Sequence, residues 1–176
     1  MDLRIHFDRP ATSIELEIED NSQCILSELG NKLKKVRIAE NGRWINIRVN
    51  SKTYQKPVKN QSGMPAIFGG TFDVRTYEGL PFEGRKHYLM NWIVETFRTS
   101  LDHFMSGSLD KETSTILDAF QKECSFSARF SGKWAQHSDT RARVVIYQRF
   151  NSADIHIESK KYRARTSVMS PVLAQS

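Results

Sequence analysis

Cysteine is scarce: Cys24 and Cys124 are the only two among 176 residues. They show no C-x-x-C spacing and have no histidine cluster beside them, which argues against a zinc site and a disulfide framework. Both are expected to be small buried apolar residues. No apolar run approaches the roughly 20 residues that a membrane-spanning helix needs. The opening MDLRIHFDRP places Asp2 and Arg4 where a signal peptide would have a basic start and then an apolar run, so the expectation is a cytoplasmic protein without a membrane partner. No internal repeat is evident, and no low-complexity tract suggests extended disorder.

What is present suits a folded domain. The hydrophobic fraction is 39% and the aromatic fraction 10% in a 20.3 kDa chain, enough for one sizeable core. The expected organisation is a single α+β domain over 1–165 with a flexible tail over 166–176. The net charge of +6 is unevenly spread. Residues 1–31 carry 2 basic and 7 acidic side chains, 32–62 carry 9 and 1, 63–123 carry 6 and 9, and 124–176 carry 9 and 3. Two basic segments therefore flank an acidic one, and they either merge into a positive surface or neutralise the acidic blocks.

Turn signals at Asn21-Ser22, Gly30-Asn31 and Asn41-Gly42 predict an antiparallel meander in the first third. In KKVRIAENGRWINIRVN, Asn41-Gly42 favours a two-residue hairpin turn with Ile38 opposite Ile45 and Val36 opposite Ile47. Lys35, Arg37, Trp44, Asn46 and Arg48 then share the outward face. Upstream, SIELEIED alternates, predicting a strand with Ile14, Leu16 and Ile18 inward and Glu15, Glu17 and Glu19 outward; Leu3, Ile5 and Phe7 repeat the period. SQCILSELG fits either a helical face or a strand and is assigned to a strand.

Met90, Ile93, Val94, Phe97, Leu101, Phe104 and Met105 recur at three and four residues and predict an amphipathic helix ending at Gly107. A second helix, capped by Ser108 or Asp110, would present Ile116, Leu117, Phe120 and Cys124, completing an αα-hairpin. Alternation resumes in FSARFSGKW, and RVVIYQRF-NS-ADIHIESKKY predicts a C-terminal hairpin turning at Asn151-Ser152, with Arg149 opposite Asp154. KPVKNQSGMP is the longest expected loop. The fold class is α+β: an antiparallel β-meander plus a C-terminal β-hairpin packed against an αα-hairpin.

The heptapeptide IFGGTFD, Ile67 to Asp73, resembles the opening of the HxGH nucleotidyltransferase signature, GGTFDPxHxGH. The resemblance implies a phosphate-binding loop between a parallel strand and a helix, in an adenylyl- or cytidylyltransferase. Beyond Asp73 the pattern departs: Val74 stands at the proline, and Thr76 and Gly79 stand where the two phosphate-binding histidines belong. Without those groups the glycines are expected to serve a strand containing Phe68, Phe72 and Val74, at a bulge or a close backbone approach.

Other constellations also have ordinary readings. His87, Asn91, Glu95, Arg98 and Asp102 line one stripe of the long helix, but they lack H-E-x-x-H spacing and suit surface charge pairs. His137, Ser138 and Asp139 are adjacent in sequence, whereas a nucleophilic triad converges from separate segments. His6 and His156 are outward strand positions. No catalytic residue, metal ligand or cofactor is expected, and an enzyme without a recognisable motif stands as a third reading beside the two binding readings below.

The favoured candidate is a pair of basic-aromatic strand faces: Lys35, Arg37, Trp44, Asn46 and Arg48, then Arg129, Lys133, Trp134, Tyr147 and Arg149. Rings on which bases stack and cations that meet phosphates suit single-stranded RNA or DNA. The alternative is a protein-interaction module, an inhibitor, adaptor or assembly subunit, whose basic face meets an acidic protein surface. The competing internal explanation is that Glu15, Glu17 and Glu19 pair with the hairpin cations.

Overall fold

The structure is a computed structural model that describes residues 2–35, 44–50, 66–104, 111–137 and 140–161. The class is α+β, with one parallel and one antiparallel sheet. The chain forms two compact units, one of Met1–Ala128 with Gln148–Ala153 and one of Arg129–Tyr147 with the chain from Asp154 onward.

The first unit opens with strand β1 (Asp2–His6) and helix α1 (Ser13–Lys32), which ends in a 3-10 turn, Leu33–Lys35. Strands β2 (Trp44–Val49) and β3 (Ala66–Gly70) follow, then helices α2 (Val74–Gly79), α3 (Phe82–Phe104) and α4 (Lys111–Glu123). The sheet order is β1-β2-β3 and both pairings are parallel, with Leu3 beside Ile45 and Ile47 beside Phe68.

The antiparallel meander expected here is therefore corrected. Both edges of β2 are occupied by parallel neighbours, so Ile45 and Ile47 cannot pair with Ile38 and Val36. Asn41-Gly42 and Arg37 lie outside the described residues, and Lys35 ends the 3-10 turn rather than a strand.

SIELEIED and SQCILSELG together form α1 rather than strands. Thr12 closes a capping box with Glu15: the Glu15 N–H donates to Thr12 Oγ1 at 3.4 Å, and the Thr12 N–H donates to Glu15 Oε2 at 2.7 Å. This satisfies two amides that a helix start otherwise leaves unpaired. Ile18, Asn21, Ser22, Ile25 and Leu29 are buried at helical spacing, while Leu16, expected inward, is exposed.

Leu3, Ile5, Ile45, Ile47, Val49 and Phe68 form the apolar sheet face, against which α1 packs at β1 and α3 at β3. From α3, Met90, Ile93, Val94, Phe97 and Leu101 are buried as expected, and α4 adds Leu117 and Phe120. The αα-hairpin thus stands; its link, including Gly107, Ser108 and Asp110, lies outside the described residues. Phe150, in the segment Gln148–Ala153, completes this core against Phe82 and Phe126, with ring centres 5.7 and 6.4 Å away.

Strands β4 (Ser127–Ser131), β5 (Ala135–His137), β6 (Thr140–Arg149) and β7 (Ser152–Lys161) follow, with β6 hydrogen-bonded to the other three; the second unit takes them apart from Ser127–Ala128, Gln148–Arg149 and Ser152–Ala153. The Gly132 N–H donates to the Val144 carbonyl at 2.8 Å, whereas Ala135 pairs with Ala142. One extra residue thus lies between these points, a bulge at Lys133-Trp134. The expected C-terminal hairpin is present, but it turns at Phe150-Asn151, with Asn151 at φ 64°. Arg149 then stands opposite Ser152, not Asp154. The tail over 166–176 and the loop KPVKNQSGMP lie outside the described residues.

Candidate functional site

Gly70, Thr71, Phe72 and Asp73 of the GGTFD stretch each have a structural task. A Cβ at Gly70 would lie 2.8 Å from Thr96 Oγ1 and 3.1 Å from the Trp92 ring, and its backbone is not left-handed. The glycine is required by the close approach of α3. The Thr71 carbonyl accepts the Trp92 indole N–H at 2.8 Å, and Phe72 donates its N–H to Asn50 Oδ1 at 3.2 Å.

Phe72 is buried against Phe7, Tyr77, Tyr88 and Trp92. Asp73 caps α2, accepting from the Thr76 hydroxyl at 2.7 Å and from its N–H at 3.1 Å. Those two bonds hold the Asp73 carboxyl below its usual range. The surroundings are a parallel strand followed by a helix, and the expected strand through Phe72 and Val74 stops at Gly70. A strand-to-helix setting is shared with the nucleotidyltransferase loop, but β3 is the third strand and an edge of its sheet, and the two histidines are absent.

The stripe on α3 is occupied by helix packing. Gln121 donates to Asn91 at 2.8 Å, Arg98 bridges Glu95 and Asp118, and His87 meets the Phe126 ring edge-on. The side chain of Asp102, with Ser138 and Asp139, lies outside the described residues. Among the described residues no group of three or more His, Cys, Asp or Glu could hold a metal ion. Burial pushes the Cys24 thiol up to about 11 and the Cys124 thiol up to about 12, so both stay protonated at neutral pH.

Of the first basic cluster, Asn46 and Arg48 share the polar face of the parallel sheet, beside Arg4 and His6. Trp44 begins β2, with its side chain outside the described residues. Among the described residues, the three glutamates have partners elsewhere. Glu15 caps its own helix, Glu17 reaches Arg85 at 3.6 Å, and Glu19 binds Arg9 at 2.6 Å and the Phe7 N–H at 2.8 Å.

The second cluster is assembled more tightly. Alternation sets Arg141, Arg143 and Tyr147 of β6 on one face with His156, Glu158 and Lys160 of β7 and Arg129 of β4. Arg129 donates to the Tyr147 hydroxyl at 3.2 Å and to Glu158 Oε1 at 2.7 Å; Arg143 donates to Glu158 Oε2 at 2.8 and 2.6 Å. The bulge turns Trp134 onto this face, with the Arg143 guanidinium 4.6 Å and the Lys160 ammonium 5.4 Å from its ring centre.

Lys133 is exposed beside it. Arg149 belongs instead to the first unit, lining a groove of about 640 Å³ with Leu16, Glu17 and Asp20 of α1. Arg141, Arg143, Glu158 and Lys160 are the members that sequence reasoning omitted. Their signal was the same alternation in RARVVIYQR and HIESK.

Bonds from Arg143, then Arg129, hold the Glu158 carboxyl below the usual carboxylate range. Its folded pKa is below the unfolded one, so its stabilising contribution is present above the unfolded value of about 4.3 and is lost as pH falls through the lower folded value. Wild type should therefore be more stable than Glu158→Gln at neutral pH, and the difference should vanish in the acid limb of a pH series of thermal melts. A pH-independent difference would contradict this assignment.

Compared with protein families, curated proteins and solved structures, the chain matches none. No described helix is long and apolar enough to cross a membrane.

Proposed function

We propose that the antiparallel sheet of the second unit binds single-stranded nucleic acid on the face that carries Trp134. The observation behind this reading is one indole with two cations, Arg143 and Lys160, close to its ring. Bases stack on such rings while neighbouring cations meet the phosphates. The charge distribution supports it. The second unit contains 8 basic and 3 acidic residues of the chain's 26 and 20, so it holds +5 of the net +6. Glu158 cancels part of this charge but fixes the direction of two guanidinium groups, which lowers the entropy lost on binding.

Fluorescence anisotropy with a mixed-sequence single-stranded oligonucleotide tests the proposal. Affinity is expected to fall steeply with salt as counterions are released. Trp134→Ala should weaken binding by roughly 1–3 kcal/mol, and Arg141→Ala should flatten the salt dependence. Loss with Trp134→Ala but not with Trp44→Ala would place the site on this sheet. Salt-dependent binding indifferent to Trp134 is adsorption of a basic protein. Absence of binding at tens of micromolar and physiological salt, about mid-range for non-specific association, would replace this reading with an acidic protein partner.

A further inference from the structure

The other face of the same sheet is apolar and open. Phe130, Val144, Ile155 and Ile157 are exposed, the two isoleucines at 71% and 76%. Both isoleucines stand on β7, a ten-residue strand without proline, which among the described residues pairs only with β6. A long, regular edge strand beside exposed apolar side chains is a template for pairing with another chain.

The charges on β7 say which chain. Its polar face reads Asp154, His156, Glu158, Lys160, and this order is complementary to itself when reversed. Placed antiparallel about a two-fold axis at Ile157, Asp154 faces Lys160 of the second copy, His156 faces Glu158, and Ile157 faces Ile157. Centring on Glu158 sets that carboxylate against itself and His156 against Lys160, whereas centring on His156 sets Asp154 against Glu158. Centring on Ile155 shortens the ladder and leaves Lys160 unopposed. Any shift by an odd number of residues puts isoleucines on the charged face.

We propose that two copies of the chain join through antiparallel pairing of β7 with β7 centred on Ile157, giving one continuous sheet across a two-fold axis. Backbone hydrogen bonds supply the attraction, and the exposed ion pairs, individually weak and screened by salt, select the register. Glu158 keeps its bonds from Arg129 and Arg143, since a carboxylate has about four acceptor positions. The two apolar faces become one, with the Ile157 side chains in contact across the axis. A single pair of strands is a small interface, at the low end for specific association, so dimerisation is expected at tens of micromolar.

Sedimentation equilibrium without nucleic acid tests this apart from the binding proposal. Wild type should dimerise. Asp154→Lys and Lys160→Asp should each be monomeric, because each homodimer opposes like charges twice. An equimolar mixture of the two should dimerise again, since every opposed pair is then unlike. These side chains are exposed, so thermal melts should confirm that the variants stay folded.

Oxidative cross-linking gives a second reading. Ile157→Cys should form a disulfide dimer rapidly, because its partner lies across the axis. Ser159→Cys should not, because its counterpart is four residues along the strand, roughly 13 Å away. A monomeric wild type, a dimer unaffected by either charge reversal, a mixture that stays monomeric, or equal cross-linking at 157 and 159 would each overturn the proposal.

Discussion

Phe72→Ala is expected to lower the unfolding free energy by about 3–5 kcal/mol, the usual range for truncating a buried phenylalanine. The ring is 4% exposed and meets Phe7, Tyr77, Tyr88 and Trp92 at 6.3, 5.7, 5.4 and 5.0 Å between centres. Aromatic pairs in edge-to-face geometry add to the burial term. The cavity is poorly placed to collapse, since the Trp92 indole is held by the Thr71 carbonyl and the Phe72 amide by Asn50. Single domains are commonly stable by about 5–15 kcal/mol, so the loss is a large fraction of the whole. Guanidinium unfolding should show a lower midpoint with an unchanged slope. A cost below about 1 kcal/mol would remove Phe72 from the core.

Gly70→Val is expected to cost about 3 kcal/mol, the upper end of the range for overpacking. The first added carbon alone falls 2.8 Å from Thr96 Oγ1 and 3.1 Å from Trp92. A strand otherwise favours valine, so backbone preference opposes the predicted sign and the steric cause is isolated. Thr96→Ala should recover part of the loss, a coupling that distant sites do not show. If the double variant is simply additive, close approach of α3 is not what requires the glycine. Equilibrium dialysis of wild type with ATP and magnesium separates the other reading, because saturable binding abolished by Gly70→Val would restore a nucleotide site.

The long helix α3 was legible because its apolar residues recur at three and four residues along its length, although Thr96 and Ser100 are buried among them. In α1 the same signal was broken. Asn21 and Ser22 occupy buried positions, and Asn21 is accommodated by bonds to the Tyr77 hydroxyl and the Asn151 N–H, which no hydropathy pattern anticipates. Meanwhile Ile14 to Glu19 alternates strictly and imitates a strand. The competing signal was Thr12-x-x-Glu15, a capping box already present in the sequence. With α1 missed, the parallel pairing of β1 and β2 was out of reach, since alternation assigns faces but not strand direction. Trp134 and Arg129 were found because they combine a ring with cations in one basic segment; alternation alone would put them on opposite faces, and the bulge brings them onto one. Glu158 and Lys160 were omitted because they reach that face only through pairing of β7 with β6.

Parallel pairing of β1 with β2 also sets the timing of assembly. Leu3 meets Ile45 and Ile47 meets Phe68, contacts that no tight turn can bring together and that must wait for the intervening chain to be arranged. The β6–β7 hairpin needs only a two-residue turn, the kind of event completed in about 1–10 μs. Sheets dominated by distant partners close orders of magnitude more slowly. During synthesis β1 and α1 both emerge before β2, so β1 stays unpaired until β2 follows. The same topology that buries Leu3 and Ile5 so completely makes the nascent chain depend on α1 to shelter them.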